Sequence, residues 1–355
     1  MIGSSFQEPD GELVAHQRHT GTEQSVQGEN MTVLFKRVAL AAMSITMLSA
    51  ASAVHADSYP SKPITFVVGY PPGGASDVIT RLIAGHMQTA LKQPVIIKNQ
   101  PGVNGNIATE EVVKAPADGY TLLLGTIANA INASLLKNIH HDVNKDFIPV
   151  VQFMSSPSVL VVTSKLPVKT VDELVALAKQ KPGALSYAST GSGSSPHLAG
   201  ELFKLRTGTD LLHVPYKGAA PALTDVIAGH VQTGFKTALS ALPSMQDGSI
   251  RPLAVADKQR MPDLPDVPTM AEAGYPDFEV LSWNGIFVPA GTPPEVVQRL
   301  NATVNEILKD PEIDKRIRGM AGRPGGGTPE EFRALVQSET EKWGEVIRKN
   351  NITQQ

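Results

Sequence analysis

The chain has 355 residues, with 31 Lys and Arg against 34 Asp and Glu and no cysteine. Charge this near balance, with no basic run and no aromatic-rich basic face, gives no support to nucleic-acid binding. The lack of cysteine excludes disulfides, thiolate metal sites, a catalytic thiol and a lipid-anchored cysteine, and the length suffices for two domains with cores of their own.

Residues 1–30 are polar and without periodicity, and read as a non-native or disordered extension. Met31 to Arg37 is a basic segment, Val38 to Leu48 is apolar, and Val54-His55-Ala56 offers small or apolar residues where a signal peptidase cuts. This pattern predicts a cleavable signal peptide over 31–56 and a mature start at Asp57, with a cut after Ala53 as a weaker choice. The apolar run is too short for a stable membrane helix, and none after residue 57 is long enough for one. The expected product is a soluble periplasmic protein.

Ile64–Val68 reads as a buried strand. The turn Gly69 to Asp77 follows, and apolar residues at Val78, Ile79, Leu82, Ile83, Met87 and Leu91 then give helical spacing. Two prolines stiffen this turn, and two glycines let a ligand approach the backbone. The unpaired N–H groups of a helix start attract a carboxylate or phosphate. The turn is thus either an anion site or an ordinary strand-to-helix link. Strand Pro94–Lys98, a helix over Ile107–Lys114 and strand Tyr120–Leu124 come next, and Gly125 to Asn132 is a further strand-to-helix junction.

A second unit begins near Phe153–Ser158, with a strand at Val159–Thr163 and a helix opened by the capping box Thr170/Glu173. Strand Leu185–Ala188 leads into the junction Ser189-Thr190-Gly191-Ser192-Gly193-Ser194-Ser195 before His197. Strand Leu211–Val214, a helix over Ala222–Ala228 and strands Val231–Phe235 and Ile250–Ala256 follow. Asp263–Pro276 reads as a loop, Glu279–Trp283 and Gly285–Val288 as extended, and the last seventy residues as helical. Strands alternating with helices predict an α/β fold with a largely parallel sheet. The two glycine-bearing junctions are counterparts, so two such units would face each other across a cleft.

Other chemistry finds little support. Gly191-Ser192-Gly193 lacks the elbow spacing of serine hydrolases. Gly73-Gly74 is not followed by a P-loop lysine, and the dinucleotide fingerprint is absent, so no cofactor is expected. Adjacent His140 and His141 point different ways, so no metal is expected there. His197 and His213 read as helix-start and strand-end residues. Asp77 would repel an anion, so it caps its helix or meets an amino group of the ligand.

Tyr59-Pro60-Ser61-Lys62-Pro63-Ile64, Pro71-Pro72-Gly73-Gly74-Ala75-Ser76-Asp77, Asn99-Gln100-Pro101-Gly102 and Asp118-Gly119-Tyr120 occur in this order. His213-Val214-Pro215-Tyr216-Lys217-Gly218, Leu264-Pro265-Asp266-Val267-Pro268-Thr269 and Pro289-Ala290-Gly291-Thr292-Pro293 continue the set. Over essentially the whole mature chain the sequence resembles the Bug family, the TctC-like extracytoplasmic solute receptors of tripartite tricarboxylate transporters. The resemblance implies a type II periplasmic binding protein of two α/β lobes joined by two crossing strands. Lobe 1 would hold 57–157 and 285–355, and lobe 2 would hold 158–284, with crossovers near 153–160 and 279–286. It implies a monomeric, non-enzymatic receptor that captures a small organic acid for a two-subunit membrane permease. The carboxylate site it implies carries over to Tyr70, Pro72, Gly73, Gly74, Ser76 and Asp77 of the first turn. In the second lobe it carries over to Ser189, Thr190, Gly191, Ser192, Gly193, Ser194 and Ser195, bordered by Thr126, Asn129 and Tyr216. Such receptors commonly carry an aspartate where this chain has Lys236, followed by Thr237. A cleft-facing Lys236 would disfavour an amine-bearing ligand and favour one with a second carboxylate. A solvent-facing lysine explains the residue equally well. Trp283 supplies either an aromatic wall or hinge packing. Two alternatives remain: a sensory receptor serving a membrane kinase, and an ester hydrolase using Ser192 or Ser194 with His197.

Overall fold

The computed structural model describes residues 59–353. The expected N-terminal extension, signal peptide and cleavage point at Asp57 lie outside the described residues. Among those described, no helix is long and apolar enough to cross a membrane.

The first half opens with β1 (Ile64–Val68), α1 (Ala75–Leu91), β2 (Val95–Asn99), α2 (Asn106–Val112), β3 (Thr121–Thr126) and α3 (Ile127–Leu135). β1 and β3 are near-continuous apolar runs because neighbours cover both their faces. α1 instead buries one stripe, Ile79, Ile83, Met87 and Leu91. β4 (Phe147–Thr163) then leads to α4 (Val171–Gln180), β5 (Ser186–Ser189), α5 (Ser195–Thr207), β6 (Leu212–Pro215), α6 (Ala219–Ala228), β7 (Thr233–Thr237), α7 (Ala238–Gln246) and β8 (Ile250–Ala256). β9 (Leu281–Pro289), α8 (Pro294–Leu308), α9 (Pro311–Gly319), β10 (Arg323–Gly326) and α10 (Pro329–Lys349) complete the order.

The strands form one curled sheet in the order β2-β1-β3-β9-β4-β7-β5-β6, with β8 and β10 also on β4. Each flank is parallel: β2, β1 and β3 on one side, β7, β5 and β6 on the other. The two strands between them, β9 and β4, are antiparallel, so the expectation of a largely parallel sheet holds in the flanks only. β4 pairs with β9 up to Pro157 and with β7 and β8 from Ser158 onward. One strand thus runs through both halves. Ser158 N–H still donates to Val280 carbonyl at 2.9 Å.

Several expectations need correction. The extended segments expected near 153–163 belong to one 17-residue strand, and those of 279–288 form one strand from Leu281. Pro149 and Pro157 both lie within β4. The sheet accepts Pro149 at a register shift, the usual place for a residue without an N–H. β7 begins two residues later than expected, so Lys236 lies inside the strand. α7 was not foreseen, because Pro243 sits within it. The C-terminal segment is not wholly helical: β10 pairs with β4 through Arg323, Pro324 and Gly326.

Candidate functional site

β3 and β7 run directly into a helix, β1, β5 and β6 do so across a short turn, and the starts of those five helices meet at one cavity. It is about 170 Å³ in volume. Its wall includes Ser76 of α1, Thr126 to Ala128 at the start of α3, Ser194 to Pro196 at that of α5, Ala219 of α6, and Thr237 and Ser240 of α7. Tyr70, Asn104, Thr190, Phe235, Lys236 and Ser282 complete it. In α1, α5, α6 and α7 no side chain caps the N-terminus. The first N–H groups of a helix lack internal partners and carry partial positive charge. Four such ends, with the start of α3 closed by its Thr126/Asn129 capping box as a fifth helix dipole, surround one cavity and make a field that favours an anion.

The first turn is held from behind. Asp77 is 1% exposed and does not line the cavity. Its Oδ2 accepts Gly73 N–H at 2.9 Å and Arg81 Nε at 2.9 Å. Its Oδ1 accepts Asn99 Nδ2 at 2.8 Å, and Asn99 also donates to the Tyr70 carbonyl at 3.0 Å. The Arg81 hydrogen bond leads the causes that lower the Asp77 carboxyl to about 2, with burial opposing. The puzzle of an acid beside an anion site is thus resolved: Asp77 faces the loop. Pro72, Gly73 and Gly74 shape the turn without lining the cavity, and Gly73 takes φ +79°, the left-handed region.

At the neighbouring junction, Tyr70 hydroxyl and Thr126 Oγ1 lie 2.9 Å apart. Asn129 Oδ1 accepts Thr126 N–H at 2.8 Å, and its Nδ2 donates to Thr109 Oγ1 at 2.9 Å. Asn129 therefore positions Thr126 and does not itself line the cavity.

The second turn is built on two histidines. His197 Nδ1 accepts Gly193 N–H at 2.9 Å, so that nitrogen is unprotonated. His213 Nε2 lies 2.7 Å from Ser189 Oγ, which also accepts Gly191 N–H. The two imidazoles stack with centroids 3.9 Å apart, and Tyr187 stacks on His213 at 5.0 Å. Burial, then the neighbouring His213, lowers the His197 pKa to about 4. Ser194 Oγ donates to Gly191 carbonyl at 2.7 Å. Neither Ser192 nor Ser194 is hydrogen-bonded to His197: its Nδ1 receives Gly193 N–H, and Ser194 Oγ is turned to the Gly191 carbonyl.

Of the residues expected from sequence, Tyr70, Ser76, Thr126, Thr190, Ser194, Ser195, Lys236 and Thr237 come together at the cavity. Ser189, Gly191, Ser192 and Gly193 build the second turn but stay off its wall. Tyr216 turns away, its hydroxyl donating to Asp225 at 2.6 Å. Burial, then that bond, pushes the phenol up to about 12. Trp283 is no aromatic wall: it is 1% exposed and packs on Phe332 and Phe287. Sequence reading missed Asn104, Pro196, Ala219, Phe235 and Ser240, whereas Ile127 and Ala128 belong to the Thr126–Asn132 junction that the resemblance puts at the cleft, and Ser282 adjoins Trp283. Ala219 and Ser240 belong to helix starts, α7 being unforeseen. Asn104 holds a left-handed φ of +52° before Gly105, a signal an Asn-Gly pair gives.

A larger groove of about 730 Å³ opens beside Pro157, Arg260, Lys315 and Arg323. The C-terminal end of α9 borders it, not a set of helix starts, so it lacks the converging donors of the smaller cavity.

The profile of the tripartite tricarboxylate transporter family receptor matches residues 79–352. The chain belongs to this receptor family. The Bordetella pertussis protein BugT is 37% identical over 321 residues, covering 90% of this chain and 98% of its own length. The solved structure of R. palustris Rpa4515 with adipate has a TM-score of 0.75 and 38% identity, covering 84% of this chain and all of its own. MatC from Rhodopseudomonas palustris with bound malate has a TM-score of 0.71 and 31% identity, covering 81% of this chain and all of its own. The receptor accordingly has the two-lobed α/β fold of periplasmic binding proteins, with β4 and β9 crossing between the lobes.

Proposed function

We propose that this receptor captures a small organic carboxylate in the cavity between its lobes and delivers it to a two-subunit membrane permease. The observation that carries this reading is the convergence of five helix N-termini on one cavity that holds a single lysine and no carboxylate side chain. Ser195 Oγ adds a buried hydroxyl without a partner, which a ligand oxygen would satisfy. The volume supports a small occupant: an apolar cavity of about 150 Å³ takes up benzene, and this one is about 170 Å³. Adipate and malate in the related structures are of this class.

In this reading 57–157 and 285–355 form lobe 1 and 158–284 lobe 2, with crossovers near 153–160 and 279–286. The carboxylate is held by backbone N–H groups and hydroxyls where the three junctions reach the cavity wall, at Tyr70 and Ser76, at Thr126–Ala128, and at Thr190, Ser194 and Ser195. Lobe closure excludes water, and the closed form is what the permease meets. The receptor acts in the periplasm as a monomer and performs no chemistry on its ligand.

The test is a thermal-shift screen of ligand-free exported protein against mono-, di- and tricarboxylates, aromatic acids and amino acids. A ligand selective for the folded state raises the midpoint by mass action, by about 2.7 kcal/mol at a hundredfold excess over Kd. At least one carboxylate is expected to do so, uncharged analogues not. A well-folded sample that no acid stabilises would overturn the reading.

A further inference from the structure

Within a wall of hydroxyls, amides and helix starts, one side chain carries a full charge. Lys236 is 3% exposed and lines the cavity. Its Nζ donates to the carbonyl of Ala222, in α6, at 3.2 Å. An ammonium has three donors, so two have no partner in the protein. Its cross-strand partner on β4 is Val159, and α7 beside it has no ionisable residue. The acids on adjoining helices are already engaged. Asp225 of α6 accepts the Tyr216 hydroxyl and faces His230. Glu201 of α5 accepts Tyr187 and Lys204. The histidines of β6 and α5 are committed to the second turn. Across the cavity, Tyr70 is tied to Thr126.

We propose that Lys236 is the specificity-determining residue of this cavity and receives the second carboxylate of a dianionic ligand. This rests on the carboxylate-receptor reading, in which the helix starts hold the first carboxylate. A buried ammonium with only a carbonyl partner is costly, and the start of α6 nearby adds positive potential. A monoanion satisfies the helix ends and leaves the ammonium without a counterion. A dianion with a short carbon linker satisfies both, and the cavity volume restricts it to about ten non-hydrogen atoms.

One consequence separates a ligand partner from a structural lysine. Burial lowers the Lys236 pKa to about 8 in the ligand-free protein. A carboxylate placed against it favours the charged form and raises the value again. Binding at pH 8 therefore draws a proton from solvent, and affinity for the dianion falls as pH rises beyond 8.

Calorimetry of the exported protein at pH 8 tests this, with succinate and adipate against butyrate and hexanoate, each in two buffers of different ionisation enthalpy. Wild type is expected to take up about half a proton per dicarboxylate, since pH and pKa coincide there. In Lys236→Met and Lys236→Gln the dicarboxylate-to-monocarboxylate affinity ratio should fall about 30-fold or more, and the proton uptake should vanish. If neither variant folds, the wild-type proton uptake decides. Binding of acids with no proton uptake and an unchanged ratio overturns the role of Lys236 and leaves the receptor reading standing. Failure of every acid to bind wild type overturns both.

Discussion

His197 is a titratable group used as a fixed hydrogen-bond acceptor, and this gives it a pH signature. Its Nδ1 must stay unprotonated to receive Gly193 N–H. Burial and the stacked His213 both resist protonation, while Glu201 on the same helix favours it less strongly and Lys204 opposes it. The folded-state pKa of about 4 lies below the ordinary 6.5. Between those values the unfolded chain binds more protons. Stability is therefore fully present above pH 6.5 and is lost as pH falls towards 4. The gap corresponds to a loss of about 3 kcal/mol. Melting curves at pH 7, 5.5 and 4.5 should show this slope. His197→Asn, whose amide oxygen still accepts from Gly193 but does not titrate, should flatten it. An equal slope in both proteins would assign the effect to other groups.

At the level of elements, the strand-turn-helix junctions were the legible part of this chain. An apolar run, a glycine turn and a periodic helix announce themselves within a dozen residues, and both turns were placed correctly from that signal. What each side chain faces was less legible, because distant partners decide it. Asp77 is turned from the cavity by Asn99 on β2, and Tyr216 by Asp225 on α6. Trp283 is drawn into the core by Phe332 of α10. Lys236 stood out in the sequence, but its burial depends on β4 and α6. The second turn also carries a constraint that only assembly reveals. Gly193 takes φ +77°, and a Cβ there would sit 2.2 Å from Leu135 Cδ2 of α3, itself buried. Gly208, at the end of α5, is equally left-handed at φ +64° but has open space around it. Either glycine replaced by alanine should cost about 1 kcal/mol of stability from backbone strain. Only Gly193→Ala should weaken ligand binding, by about tenfold or more, because it forces the facing lobes apart. Parallel titrations of the two variants check this, and equal binding by both would remove the Gly193–Leu135 contact from the binding mechanism.

Across the whole molecule, the lobes are joined by more than the two crossing strands. Asn104 Nδ2 reaches Gly193 carbonyl at 3.5 Å on the cavity side. Asn350, after α10, donates to Glu201 carbonyl at 3.3 Å. Beside the point where β4 changes partners, the Arg323 guanidinium of β10 lies 2.5 Å from Asp257 Oδ2, just after β8, a charge pair without hydrogen-bond geometry. Ser156 Oγ donates to Ala321 carbonyl at 3.0 Å nearby. Asp257 is 5% exposed, so this pair is shielded from salt in a way surface pairs are not. With the proposed lobe boundaries it spans the two lobes in the same arrangement in which Asn104 meets Gly193, and is expected to stabilise that arrangement over one with the lobes apart. A ligand that binds the closed arrangement has its apparent affinity reduced by the fraction of molecules that are open. Arg323→Met, which keeps the stem and removes the charge, should therefore lower apparent carboxylate affinity by about 3–10-fold. It should also enlarge the decrease in radius of gyration on adding ligand, since more molecules begin open. X-ray scattering with and without ligand, on wild type and variant, reads both effects. Tighter binding in the variant would mean that the Arg323–Asp257 pair holds the lobes back from closure, the opposite of the role its position in this structure gives it.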